Sequence, residues 1–241
     1  MEIIGRQSSE ASECEHDRRV SDVDCKECAI RHRMLFADVD VEAASVLLRP
    51  IKHVWYDPGE VIYRQGEPAR AIYSIRRGVI KLSLTSPGGD LRIVRIVGPG
   101  AAIGLEALVD DRLQHEAETL TEVDLCHLPL NTVQKLAKEQ PLLCKRLMRQ
   151  WHQQIAQADE HLLQLSTGSI KKRVRAFLEE LDQLCIKGDI DFQLPSNPDI
   201  AALVGARVES VSRIMAEFKR EGTLVKLGDA RWVPSLKDQP A

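Results

Sequence analysis

No stretch of the 241-residue chain holds enough consecutive apolar residues to span a bilayer, and residues 1–24 lack the apolar centre of a signal peptide. The expectation is a cytoplasmic protein with no membrane partner. Charge of one sign is scarce too: the net charge is −3, which argues against a general polyanion binder. The six cysteines of such a chain are expected as thiols, metal ligands or core residues and not as structural disulfides. No second C-x2-C pair accompanies Cys25-Lys-Glu-Cys28, against the usual two-pair zinc module. No βαβ pattern surrounds it, against a thioredoxin-type dithiol. With 44% hydrophobic and 29% charged residues, the length suits one or two soluble globular domains.

What is present divides by periodicity. Residues 1–24 are polar and acidic and read as a flexible leader that carries Cys14. Residues 25–137 hold the Cys25–Cys28 pair and then short runs rich in Val, Ile and Tyr. Asp57-Pro-Gly59, Gln65-Gly66, Arg77-Gly78, Pro87-Gly-Gly-Asp90 and Gly98-Pro-Gly100 punctuate those runs. Turn signals at about ten-residue spacing imply an antiparallel β-roll able to enclose a ligand, with Val79–Leu84 and Leu91–Val97 as one hairpin. Near Leu130 the period becomes helical. Leu143, Leu147, Trp151, Ile155, Ala158, Leu162 and Leu165 recur at steps of three and four, predicting a dimerisation helix over 138–166. Ser166-Thr-Gly168-Ser169 interrupts the pattern as a hinge. A last domain, 167–241, opens with an amphipathic helix from Ile170 to Cys185 that turns Val174, Phe177, Leu178, Leu181 and Leu184 inward. Cys144 and Cys185 fall on these helices as packing residues, and the fold class is α+β.

The most informative stretch is Val208–Arg220. Val211, Ile214, Met215 and Phe218 form an apolar stripe, while Glu209, Ser212 and Arg213 share another face. Before it, Ser196 is placed to cap a helix buried by Ile200, Leu203 and Val204, and Gly205-Ala206 supplies a tight turn. After it, Leu224–Leu227 and Arg231–Val233 flank Gly228-Asp229 as a hairpin, completing a winged helix-turn-helix. The chemistry of the polar face suits double-stranded DNA. Arg213 can reach guanine O6 and N7, and Glu209 can accept from cytosine N4. Ser210 lies alongside, and Arg207, Lys219 and Arg220 are placed to neutralise phosphates. Four basic residues against two acidic ones within 207–220 make the basicity local.

The roll, the long helix and the winged helix-turn-helix carrying Glu209-x-x-Ser212-Arg213 together resemble the Crp/Fnr family of bacterial transcription regulators, over nearly everything from Cys25 onward. The resemblance implies a cyclic-nucleotide-binding-like roll, a homodimer, activation or repression of transcription with RNA polymerase as partner, and no enzymatic activity. The Fnr-like branch uses a Glu-x-x-Ser-Arg face to read TTGA-type half-sites of a palindrome. In the cyclic-nucleotide-binding branch, a Gly-Glu pair and an Arg-Ser pair hold the ligand. Gly104-Leu105 and His115-Glu116 stand in those places here, and a neutral His beside a carboxylate disfavours an anionic phosphate, so cyclic nucleotide is not expected. In the oxygen-sensing branch four cysteines hold a 4Fe–4S iron–sulfur cluster. Cys25 and Cys28 match its C-x2-C part and Cys126 its roll cysteine. Met34 stands at the third cysteine's place, which leaves Cys14 as the candidate fourth thiolate and His16 and His32 as nitrogen ligands. Open beside the cluster are redox-reactive thiols, haem, another small ligand or none. From other classes come a dithiol oxidoreductase using Cys25 and Cys28, and a ligand-binding module acting through protein partners.

Overall fold

A computed structural model describes residues 19–22, 24–28, 30–188, 194–227 and 231–234. The chain starts with β1 (Val20–Asp22), a 3-10 turn at Arg31–Arg33 and α1 (Ser45–Leu48). Strands β2 (Lys52–Tyr56), β3 (Val61–Tyr63), β4 (Ala71–Arg77), β5 (Ile80–Thr85) and β6 (Leu91–Val97) follow. Then come β7 (Ala102–Ile103), a 3-10 turn at Leu105–Leu108, β8 (Glu116–Thr119) and β9 (Val123–Pro129). Helices α2 (Leu130–Glu139), α3 (Pro141–Ser166), α4 (Ile170–Gly188), α5 (Asn197–Val204) and α6 (Val208–Arg220) lead to β10 (Leu224–Leu227) and β11 (Arg231–Pro234). No described helix is long and apolar enough to cross a membrane.

The strands form two antiparallel sheets, ordered β1-β2-β9-β4-β7 and β3-β8-β5-β6, with β10-β11 as a separate hairpin. This is the expected α+β arrangement of an N-terminal β-roll and a C-terminal winged helix-turn-helix. The Pro87-Gly-Gly-Asp90 turn joins β5 to β6 in the expected hairpin: Thr85 pairs with Leu91, and the Ser86 amide donates to Asp90 O at 2.9 Å. Gly78 is required where β4 ends. Its φ is +97°, and a Cβ there would overlap the Glu122 carbonyl. Ile72, Ile75, Leu125 and Leu128 fill the roll with no exposed surface, and Leu143 and Leu147 from α3 join the same core.

Two features differ from the periodicity reading. The end of the polar leader is a strand: Val20, Ser21 and Asp22 pair with Val54, His53 and Lys52. All three are exposed, so no alternation marks them, and the Lys52–Asp22 ion pair holds this edge. The helical period from Leu130 is split into α2 and α3 at Gln140, which takes φ −124° and ψ 87° ahead of Pro141 at the first position of α3.

The apolar stripe of α3 has three environments. Leu143 and Leu147 enter the roll core and Leu165 enters the core of the C-terminal helices, but Ile155 and Leu162 are 53% and 65% exposed. Met148, at 74%, extends that open face. Cys144 is exposed and not a packing residue, because its position on α3 faces away from the roll. The side chain of Cys185 lies outside the described residues.

The opposite face of α3 is polar and laced to the roll. Gln150 Nε2 donates to Gly100 O at 2.9 Å, Gln154 Nε2 to Ala102 O, and Gln157 Nε2 to Ile96 O at 2.8 Å. His161 continues the ladder, with Nδ1 3.3 Å from Val94 O and Nε2 2.6 Å from Glu180 Oε1 on α4. Both ring nitrogens face acceptors, which only the doubly protonated imidazolium satisfies. Burial disfavours that charge, but the Glu180 carboxylate, the Val94 carbonyl and the nearby Glu160 outweigh it and lift the His161 pKa above its ordinary 6.5. A group with a raised folded-state pKa stabilises fully below its unfolded value and loses that contribution as pH rises through the folded one. Denaturant midpoints should therefore fall as pH is raised from about 6 upward through this range. Substituting His161→Gln should remove that part of the slope; an identical slope in the variant would assign the pH dependence elsewhere.

Candidate nucleic-acid interface and sensory residues

The helix-turn-helix follows from local chemistry. Ser196 caps α5 by accepting from the Asp199 amide at 3.2 Å. Gly205 ends that helix at φ +64°, where a Cβ would run into the Arg92 guanidinium of β6. Arg173 on α4 donates to Val204 O at 2.6 Å, placing a cation at the negative end of α5. Ile200, Leu203, Val204, Val211, Met215 and Phe218 are buried together with Val174, Phe177, Leu178 and Leu181 of α4. That buries one side of α6 and leaves Glu209, Ser212 and Arg213 exposed on the other. Arg207, Lys219 and Arg220 are exposed around them and Ser210 is half-buried. Neither Glu209 nor Arg213 has an ion pair or hydrogen bond among the described residues, so both side chains remain available to a ligand.

This unit is docked on the roll. Val79, Ile93 and Ile96 from the roll share the C-terminal core, and Lys81 of β5 crosses the junction. Its Nζ lies 2.6 Å from Asp199 of α5 and 2.9 Å from Glu118 of β8. Burial opposes the ammonium, yet the two carboxylates raise the Lys81 pKa and keep it charged. Lys81 stands between Ile80 and Leu82 in β5. It is 7% exposed because α5 and its neighbours cover that face of the sheet.

Cys126 lies on β9, opposite His53 of β2 and Ser74 of β4. Cys25 and Cys28 are half-buried near it, and all three are free thiols. Burial pushes the Cys126 thiol far up; Arg76 opposes, while negative charge on Cys25, Asp124 or Cys28 adds. Cys25 is raised by burial first, then by Cys28 and Asp24, against Arg31 and Arg76. His53 falls to about 4 through burial and the adjacent Arg76, so it is neutral at pH 7. Met34 is 5% exposed and its Sδ accepts from Ser74 Oγ at 3.9 Å, so a thioether packs in the roll core at the third-cysteine place. His32 is exposed, while Cys14 and His16 lie outside the described residues. Among the described residues no three His, Cys, Asp or Glu side chains converge as a metal set. Cys25, Cys28 and Cys126 thus form no three-ligand set by themselves, and Cys14, the fourth candidate, lies outside the described residues.

The roll interior holds a charged network that the motif comparison passed over. Leu105 is buried in the core, and the carboxylate appears one residue later, at Glu106. Burial opposes its ionisation, but His115 and the Gln114 amide hold it below the usual carboxylate range. The guanidinium comes from another strand: Arg95 of β6 donates to Gln154 Oε1 at 2.8 Å and lies 3.1 Å from His115 Nε2. His115 Nδ1 is 3.5 Å from Glu106. The charge missing at position 115 is thus present, already engaged with α3. Its only sequence signal was an arginine at an inward-alternating place in β6.

Comparison with known proteins gives two domain matches: a cyclic nucleotide-binding domain over residues 53–140 and a Crp-like helix-turn-helix domain over residues 172–236. The transcriptional activator protein anr of Pseudomonas aeruginosa is 26% identical over 86% of this chain and 87% of its own length. The nitrogen fixation regulation protein FixK of Bradyrhizobium diazoefficiens is 27% identical over 83% of this chain and 85% of its own. Among solved structures, a transcriptional regulator of the CRP/FNR family from Thermus thermophilus superposes with a TM-score of 0.60 at 28% identity, covering 77% of this chain and 94% of that one.

Proposed function

Because the chain belongs to the Crp/Fnr family of transcription regulators, we propose that it acts as a homodimer that reads TTGA-type half-sites of a palindrome through the open face of α6. It is a transcription regulator and not an enzyme. The observation that carries the DNA reading is a helix that buries Val211, Met215 and Phe218 and packs the half-buried Ile214 against the same core while Glu209, Ser212 and Arg213 stand unengaged. Arg213 contacts a guanine edge, Glu209 a cytosine amine, and Ser212 sits between them. Arg207, Ser210, Lys219 and Arg220 meet sugar and phosphate. RNA polymerase is the partner through which a bound dimer acts, and the cytoplasm is the compartment.

The dimer reading rests on α3. Met148, Ile155 and Leu162 recur every seven residues with Trp151 and Ala158 between them, which is the spacing of a coiled-coil seam. A two-fold pairing there would set two α6 helices one DNA turn apart. In this reading the chain comprises a leader over 1–24, a sensor unit over 25–137, a dimer helix over 138–166 and the DNA-binding unit over 167–241.

For the input we favour a redox response of Cys25, Cys28 and Cys126 as thiols, and derive no step through a cluster. Burial raises the thiols of Cys25 and Cys126 and keeps them quiescent until the segment bearing Cys25 opens. Exchange with a small disulfide oxidant would then join Cys25 to Cys28, the two thiols giving up two protons and two electrons as the oxidant is cleaved to two thiols.

Three outcomes follow. Arg213→Ala should weaken binding to a TTGA-type palindrome by about 1–3 kcal/mol and relax base preference there, in footprints against sequence variants. Equal weakening on random DNA would make Arg213 a phosphate contact. Leu162→Glu should shift the protein toward monomer in sedimentation, since two buried carboxylates would face each other across the seam; an unchanged dimer would place the interface elsewhere. Protein purified without oxygen should be colourless and iron-free, and a disulfide oxidant should change its DNA affinity in the wild type but not in Cys25→Ser. A brown preparation that bleaches in air and is lost in Cys28→Ser or Cys126→Ser would replace the thiol reading with a 4Fe–4S cluster, and a Soret band would replace it with haem.

A further inference from the structure

Beside the polar ladder of α3 lies an open cavity of about 410 Å³, bounded by the Val97–Ala101 turn, the first half of α3, Arg33, and Leu184 of α4. Of the roll-interior network only Gln154 touches it; Arg95, Glu106 and His115 do not line it. Three arginines reach the cavity, and no carboxylate is found among its described lining residues. Part of that charge is committed. Arg33 donates to Pro99 O, and Arg146 donates to His32 O and Met34 O and lies 3.7 Å from Asp38. The rest is not. Arg146 Nε is buried without a partner. Arg149 and, one turn on, Gln153 are exposed and make no hydrogen bond or ion pair among the described residues.

The unpaired guanidinium of Arg149, beside the partly committed Arg146 at the mouth of a concavity with no carboxylate among its described lining residues, matches the charge-assisted recognition of phosphate oxygens. The volume lies within the range of about 300–1,000 Å³ of small-molecule sites, room for a nucleotide. Gln153 adds an unused amide on the same face of α3, a group that donates to and accepts from polar rings. We propose that this cavity binds a polyphosphate-bearing small molecule of up to nucleotide size, its phosphates against Arg146 and Arg149 and the remainder along Gln153. A ligand there touches the roll turn, α3 and α4 at once. Gly98 and Leu184 already meet at this place, where a Cβ on the glycine would come within 3.2 Å of Leu184. Occupancy therefore alters the fit of α4 against the roll and couples to DNA affinity by the same factor in each direction; this consequence, not the site, rests on the DNA-binding function.

Calorimetric titration of the full chain with GTP, inorganic pyrophosphate and guanosine tests the site without DNA. GTP should bind and guanosine should not. The exposed pair Arg149→Ala with Gln153→Ala should lower GTP affinity about tenfold or more, the loss expected for a charge-assisted hydrogen bond. Arg213→Ala on α6 and His115→Ala in the roll should leave it unchanged. Pyrophosphate binding as tightly as GTP would support the anion site with an inorganic polyphosphate as its source. The proposal is overturned if neither compound binds at about 1 mM, if the Arg149/Gln153 pair makes no difference, or if binding is lost in His115→Ala or Arg213→Ala instead. None of these failures bears on DNA recognition by α6, which footprinting measures separately.

Discussion

The polar ladder along α3 is the constraint on which the remaining architecture depends. Gln150, Gln154, Gln157 and His161 follow one another by three or four residues, so they form one row on the helix. Each meets a backbone carbonyl of the β6–β7 region, at Gly100, Ala102, Ile96 and Val94. Those carbonyls belong to a strand and turn at the edge of their sheets, where the ladder partners of a central strand are missing. Amide side chains replace them, and the helix is held in register along the roll by directional bonds. An apolar contact would have allowed it to slide.

Orientation of both remaining faces follows from that row. With the amides turned to the roll, Met148, Ile155 and Leu162 must point outward, which gives the chain an apolar seam without a partner in a single copy. At the far end His161 links the ladder to Glu180, so the same row ties α4 to the roll through its second half. From α4 the arrangement passes to α5 and α6 through one continuous apolar core, which also takes in Val79, Ile93 and Ile96 of the roll. The helix-turn-helix unit is consequently seated on the roll and not merely tethered to it, with Lys81 as the charged contact at the junction.

The sensory side is organised by burial. In the roll interior Arg95, Glu106 and His115 neutralise one another and bind Gln154, so a position where related folds hold a charged ligand is bridged by the chain's own side chains. Around Cys126 the balance differs. Burial raises the Cys25 and Cys126 thiols, Met34 accepts from Ser74 on the neighbouring strand, and Arg76 is shared among His53, Asp124 and those two cysteines. The two regions are joined by β4 and β9, whose pairing carries Cys126 and the walls of the roll in one sheet.

Much of this was legible in residue order. The glycine- and proline-marked turns announced the roll, the three-and-four spacing announced α3 and α4, and Ser196, Gly205 and the stripe of Val208–Arg220 announced the helix-turn-helix, because each depends on backbone preferences or periodicity within a few residues. The strand at Val20–Asp22 was not legible, since an exposed edge carries no alternation. Nor were the charged pairs. Lys81 with Asp199 spans 118 residues and Arg95 with Gln154 spans 59, and no local pattern distinguishes such side chains from solvated ones. Residue order alone was enough for most of the elements, their succession and the separation of an apolar from a polar face on α6. Long-range packing settled which charges are buried together, that Met34 meets Ser74 inside the roll, and which side of α3 is left open, because these depend on surfaces brought together after every local preference has been satisfied.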